Sequence, residues 1–145
     1  MRVLVCDDDK DVGQFLRTLF DLQGWETDLV TDGEACLAAV ETGPEPEALI
    51  LDQLMPGLTG IETADRLRAQ GFERPIILCS GHLGAELGKD IKRLDLIPCS
   101  KIDIDALVRI VRVAVAGSRS SQVDLRDKTL KPKKPTKASS SRPKR

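Results

Sequence analysis

Short apolar runs and helix-spaced stripes alternate along this chain. The runs are Val3–Cys6, Thr27–Val30, Ala48–Leu51, Ile76–Cys79 and Leu96–Cys99. Each is unbroken by polar residues or nearly so, the pattern of strands covered on both faces rather than one. Between them, Val12, Phe15, Leu16, Leu19 and Phe20 fall at i, i+3, i+4, i+7 and i+8 and predict a first helix. Thr31 with Glu34 predicts a capping box ahead of Cys36, Leu37 and Val40. Leu58, Ile61, Ala64 and Leu67 step by three, and Ile104, Leu107, Val108, Val111 and Val115 form a last stripe. The segment 83–94 carries Gly84 and Gly88 and predicts the weakest, most mobile helix. Gly24, Gly43-Pro44, Gly71 and Gly81 punctuate the elements. Strand and helix in repeated alternation predict an α/β fold, a three-layer α/β/α sandwich on a five-stranded, doubly wound parallel sheet. Crossovers in such a sheet are right-handed. Ligands bind outside the carboxyl ends of the strands.

Charge divides the chain. Residues 1–117 hold 12 Lys/Arg against 21 Asp/Glu, a net −9, and residues 118–145 hold 10 against 2, a net +8. The first part predicts one acidic domain. The second, with Pro132, Pro135, Pro143, serines at 139–141 and few apolar residues, predicts a disordered basic tail. Lys131, Lys133, Lys134, Lys137 and the residues from Arg142 to Arg145 suit solvent, an anionic partner protein or non-specific contact with nucleic acid. The chain has no Tyr, one Trp and three Phe, which argues against an aromatic platform for single-stranded nucleic acid. No apolar run is long enough for a membrane span, and Asp7 interrupts the start too soon for a signal peptide, so the expected location is cytoplasmic. Cys6, Cys36, Cys79 and Cys99 form no C-x-x-C pair and read as buried thiols of a reducing compartment rather than a zinc site.

The polar residues that follow the runs carry the candidate chemistry. Asp7, Asp8 and Asp9 follow the first, Asp52 the third, Ser80-Gly81 the fourth and Ser100-Lys101 the fifth. A parallel sheet brings all of them to one edge. Carboxylates gathered there raise one another's pKa, and a hard divalent cation such as Mg²⁺ together with the Lys ammonium relieves the repulsion. Carboxylate, Mg²⁺, Lys and hydroxyl together suit phosphoryl transfer, with Asp52 as nucleophile and Asp7 and Asp8 sharing the metal. Singly, each residue has an ordinary reading: Asp52 as a turn former, the Asp triplet as a helix-terminus charge, Ser80-Gly81 as a turn, and Lys101 as a surface cation.

Taken together, the motifs from Val3 to Asp9, Thr31-Asp32-Gly33-Glu34-Ala35, Asp52-Gln53-Leu54-Met55-Pro56-Gly57-Leu58-Thr59-Gly60, Ser80-Gly81 and Lys101 resemble bacterial response-regulator receiver domains, the CheY-like superfamily. The resemblance covers residues 1 to about 117. It implies a flavodoxin-like strand order 2-1-3-4-5. It also implies that Asp52 accepts a phosphoryl group from a phosphohistidine on a sensor histidine kinase or a histidine phosphotransfer protein. Asp7, Asp8, Asp52 and the backbone carbonyl of Leu54 would hold Mg²⁺. Ser80, Gly81 and Lys101 would bind the phosphoryl group, and Leu54 and His82 would tune its hydrolysis. The implied protein is a stand-alone receiver of two-component signalling or a phosphorelay that acts by docking on a downstream partner. It is not an enzyme with an external product, only an autocatalytic phosphoryl acceptor that dephosphorylates itself. An aspartyl-phosphate phosphatase of the haloacid dehalogenase type would want Asp where Leu54 stands.

Two positions depart from the family pattern. Pro98 replaces the aromatic residue usual three positions before the Lys, and Ile102 replaces the Pro usual after it, so a trans bond is expected there. These departures support an alternative reading, an unphosphorylated or weakly switched receiver-like interaction module.

Overall fold

The computed structural model describes residues 1–81, 84–101 and 103–129, the last eleven of these as backbone only. Five strands form one parallel sheet in the order β2-β1-β3-β4-β5. They are β1 (Arg2–Cys6), β2 (Glu26–Val30), β3 (Ala48–Asp52), β4 (Ile76–Ser80) and β5 (Leu96–Ser100). Each apolar run thus became a strand, lengthened by one residue at one end. The helices are α1 (Lys10–Asp21), α2 (Gly33–Thr42), α3 (Gly60–Ala69), α4 (Gly88–Arg93) and α5 (Ile104–Thr129). A single 3₁₀ turn, Ala85–Leu87, precedes α4.

The central strands β3 and β4 are buried at every residue. Alternation of side chains divides the core in two. Val3, Val5, Ile50, Ile77, Cys79 and Cys99 pack with Leu16 and Phe20 of α1 and Leu107, Val111 and Val115 of α5. Leu4, Leu49, Leu51, Ile76 and Leu78 pack with Cys36, Ala64 and Leu67 of α2 and α3. The stripes on α1, α3 and α5 therefore face the sheet, although Phe15 of α1 stays 54% exposed.

One expectation changes. Asp32, not Thr31, caps α2, its carboxylate accepting from the Ala35 N–H at 2.7 Å. The capping box falls on α3 instead, between Thr59 and Glu62. The described residues between β4 and β5 hold a 3₁₀ turn and a six-residue helix with no buried side chain, in line with the weak helix that Gly84 and Gly88 predict. Helix α5 runs to Thr129. No Pro interrupts the chain between Pro98 and Pro132, so nothing there forbids the helical backbone. The compact unit itself is Met1–Val115, and Ala116–Arg145 is a second unit. The basic residues from Lys131 onward lie outside the described residues, as do His82 and Ile102. No described helix is long and apolar enough to cross a membrane.

Arg68 ties the connections beneath the sheet. Its guanidinium donates to the carbonyls of Leu94 (2.9 Å), Phe72 (2.8 Å), Arg74 (2.9 Å) and Asp95 (3.1 Å). Asp95 needs this support because its φ is 54°, a conformation that costs a side-chain-bearing residue energy. Burial lowers the Arg68 pKa, although the carboxylates of Asp95 and Glu73 oppose that shift. Arg68→Ala is expected to lose about 2–3 kcal/mol in urea unfolding, and Arg68→Lys to recover little of it, because an ammonium cannot span four carbonyls.

Candidate functional site

The site follows from strand parity. Side chains two apart share a face, so Asp7 continues the side of Val3 and Val5, and Asp52 that of Ala48 and Ile50. Lys101 likewise continues the side of Cys99. All three thus emerge on the α1/α5 side of the sheet at its carboxyl edge. Asp7 and Asp52 are each 5% exposed, while Asp8 is exposed. One carboxylate oxygen from each of Asp7, Asp8 and Asp52 lies within 4.8 Å of the others. The Lys101 ammonium sits between two of them, 3.1 Å from Asp7 Oδ2 and 3.2 Å from Asp52 Oδ2.

Asp9 takes no part in this cluster. It is the N-cap of α1, accepting from the N–H groups of Asp11 (2.9 Å) and Val12 (3.3 Å). Its own N–H donates to Asp7 Oδ1 at 2.9 Å, which fixes the Asp7 carboxylate. Position alone thus sorts three consecutive aspartates into a buried pair member, an exposed one and a cap.

Burial raises the Asp52 carboxyl to about 6. The Asp7 charge adds to the rise, and Lys101 opposes it. Burial lowers the Lys101 pKa, but hydrogen bonds and charge from Asp7 and Asp52 outweigh it and leave the ammonium above its ordinary value. Octahedral Mg²⁺ ligands at about 2.1 Å from the ion stand roughly 3–4 Å apart, so three carboxylates within reach of one another, one of them open to water, fit such an ion.

The loop after β3 is built to hold Asp52. Gly60 N–H donates to the Gln53 carbonyl at 2.9 Å, and Ile61 N–H donates to Gln53 Oε1 at 2.8 Å. A Cβ on Gly60 would lie 2.5 Å from the Asp52 carbonyl oxygen and 2.9 Å from Gln53 Cα. Gly57 holds φ at +77°, which suits glycine. Met55 is buried and accepts from the Cys6 thiol at 3.6 Å, whereas the Leu54 side chain is 72% exposed. Ser80 ends β4 and is 3% exposed, and a Cβ on Gly81 would meet nothing within 4 Å. The structure thus gathers Asp7, Asp8, Asp52 and Lys101, places Ser80 at the end of a neighbouring strand, and leaves space at Gly81.

Sequence reasoning missed a cavity of about 350 Å³ behind this edge. Val12 and Phe15 of α1, Ile104 and Leu107 of α5, and Asp52, Cys79 and Lys101 line it. In the sequence Phe15 is an ordinary member of the apolar stripe; only the structure shows it half-exposed at the cavity wall.

The model of the response regulator receiver domain family matches residues 3–96. Response regulator MprA of Mycobacterium avium (strain 104) is 38% identical over 78 residues, which are 54% of this chain and 34% of that protein. The chain therefore spans about a third of the length of that relative. The Francisella response regulator 1452 receiver domain superposes with a TM-score of 0.74 at 29% identity, covering 81% of this chain and 98% of that one. Response regulator protein TrrA of Thermotoga maritima, solved in complex with Mg²⁺-BeF, gives 0.69 at 26% identity, covering 78% and 97%.

Two substitutions test the geometry. Gly60→Ala is expected to cost about 2–4 kcal/mol, because backbone rather than a flexible side chain blocks the new methyl. In metal-free buffer Asp52→Asn is expected to be more stable than wild type near pH 7, read as a higher midpoint of thermal unfolding. A carboxyl raised in the folded state keeps its proton there longer than in the unfolded chain. Wild-type stability therefore falls as pH rises from about 4 to about 6, and the Asn variant lacks that fall.

Proposed function

This chain belongs to the response regulator receiver domain family, and from that premise we propose that Asp52 accepts a phosphoryl group from a phosphohistidine of a sensor histidine kinase or phosphotransfer protein. The observation that carries the reading is the contact of Lys101 with both Asp7 and Asp52 beside a third carboxylate. With its carboxyl near 6, Asp52 is mostly ionised at neutral pH and can act as nucleophile. Its oxygen bonds to phosphorus as the phosphorus–nitrogen bond breaks and the electron pair leaves with the imidazole. Lys101 offsets charge on the phosphoryl oxygens, and Ser80 donates its hydroxyl to one of them. Asp7, Asp8, Asp52 and the Leu54 carbonyl would hold Mg²⁺, which when bound neutralises the acidic edge and draws the phosphoryl oxygens to it. The Thermotoga relative solved in complex with Mg²⁺-BeF supports Mg²⁺ as the cation. Leu54, apolar and exposed, cannot orient a hydrolytic water by hydrogen bonding. The protein is a signalling switch rather than an enzyme with an external product, and it acts in the cytoplasm by docking on a protein partner. By charge alone, the basic residues beyond 130 suit an anionic partner or nucleic acid.

Pro98 favours a second reading, in which the same fold docks on partners with little phosphorylation-driven switching. It is exposed on β5, at the sheet edge, where a missing N–H costs no ladder bond. It also has no ring whose rotation could report the state of Ser80.

Incubation with acetyl phosphate and Mg²⁺ is expected to add one phosphoryl group by intact mass. Chelation of Mg²⁺ and Asp52→Asn should each abolish it, and Lys101→Ala should slow it at least tenfold. Absence of the adduct with both acetyl phosphate and a phosphorylated histidine donor would favour the interaction module.

A further inference from the structure

The cavity behind the carboxyl edge, about 350 Å³, has the size of a small-molecule site. An apolar void of about 150 Å³ holds a benzene-sized body, so this one has room for a ring with a short chain. Two helices supply most of its apolar walls. Val12 and Phe15 stand on α1, and Ile104 and Leu107 on α5, with Ile50 from the sheet. Phe15 belongs to the stripe that packs α1 on the sheet, yet it is 54% exposed, while Leu16 beside it is 5% exposed. A ring so placed gains contacts and sheds water when the hollow is filled.

Charge selects the head group. Asp7, Asp11, Asp52, Ser100 and Lys101 line the same cavity at the carboxyl edge. Three carboxylates there meet one ammonium, and that ammonium is already shared between Asp7 and Asp52. Asp11 is exposed, and among the described residues no cation pairs with its carboxylate. An anionic ligand would add to the excess of negative charge, and a neutral one would leave it unchanged. A cation offsets it, and the apolar walls strengthen the attraction. We propose that this cavity binds a small organic cation, an aromatic ring on a short chain that ends in a primary ammonium group. The ring lies among Val12, Phe15, Ile104 and Leu107, and the ammonium stands at the rim beside Asp11, Asp7 and Asp52.

A head group at that rim stands where a phosphoryl donor must approach Asp52. Bound amine therefore slows phosphoryl acceptance, a consequence that rests on the reading of Asp52 as phosphoacceptor, whereas binding does not. A smaller cavity of about 190 Å³ does not fit this role. Arg2, Asp28 and two prolines are among its walls, and the charges of Arg2 and Asp28 already meet at 2.7 Å.

The experiment titrates 4-phenylbutylamine into the isotope-labelled full-length chain in metal-free buffer, followed by NMR. The neutral 4-phenylbutanol and the anionic 4-phenylbutyrate are titrated beside it at the same ionic strength. The amine is expected to give saturable shifts at Val12, Phe15, Ile104 and Leu107, with a dissociation constant below about 1 mM. The alcohol should bind about fivefold more weakly or worse, and the acid should not bind. Asp11→Asn, at an exposed position, should weaken the amine roughly threefold and leave the alcohol unchanged. Val12→Phe, its fold checked by the same spectra, should fill the cavity and weaken both ligands by about tenfold or more. No saturation by the amine, equal binding of all three compounds, or shifts confined to another surface would each overturn the proposal. Amine binding in a chain that takes no phosphoryl group would count against the phosphoacceptor reading and leave the binding site standing.

Discussion

Three carboxylates whose oxygens lie within 4.8 Å of one another, two of them almost sealed from water, repel unless a positive charge stands among them. Lys101 supplies that charge by touching Asp7 and Asp52 at once. Much of the carboxyl edge serves this contact. The Asp9 N–H holds Asp7 in place, the Gln53 and Gly60 loop holds the backbone of Asp52, and β5 delivers Lys101 directly after its last residue. The ammonium compensates only part of the negative charge. Burial first, and the Asp7 charge second, keep Asp52 well above an ordinary carboxyl, a cost to the ionised free domain that a cation at this edge would offset. A divalent ion at this edge would lift the same strain that makes the free domain less stable as pH rises.

The same economy explains the glycines of the β3–α3 loop. Gly60 is required because the Asp52 carbonyl passes where a Cβ would sit, so the helix that follows the site can start directly against it. Gly57 is required for its positive φ. Both constraints are backbone constraints, which is why a short loop can fix a carboxylate whose own side chain must remain available for chemistry.

The strands and the chief site residues were legible because their signals are local. Runs buried on both faces are apolar without interruption, and in a parallel sheet whatever polar residue follows each run reaches the same edge. The cap of α2 was misjudged because Thr31 and Asp32 are both good caps and adjacent, and only the extended backbone at Asp32 decides between them. Asp7 and Asp8 were readable as the pair that shares a cation, whereas the burial of Asp7 beside an exposed Asp8 and the capping bonds of Asp9 carry no pattern in three identical side chains.

Pro98 bears on how a change at the edge could travel. β5 is an edge strand, and Pro98 sits on it exposed, opposite Leu78 of β4. A proline there tolerates the ladder but has one fixed φ and no side-chain rotamer of consequence. Movement at Ser80 must then be passed through backbone. The available segment is the one after β4, which contains a 3₁₀ turn and the six-residue α4, none of whose residues is buried. An element anchored so lightly shifts at small energetic cost, whereas α5 is pinned to the sheet by Leu107, Val111 and Val115. The surface most easily altered by charge at Asp52 is therefore that of α4 and its preceding turn, with β5 as a rigid rail beside it.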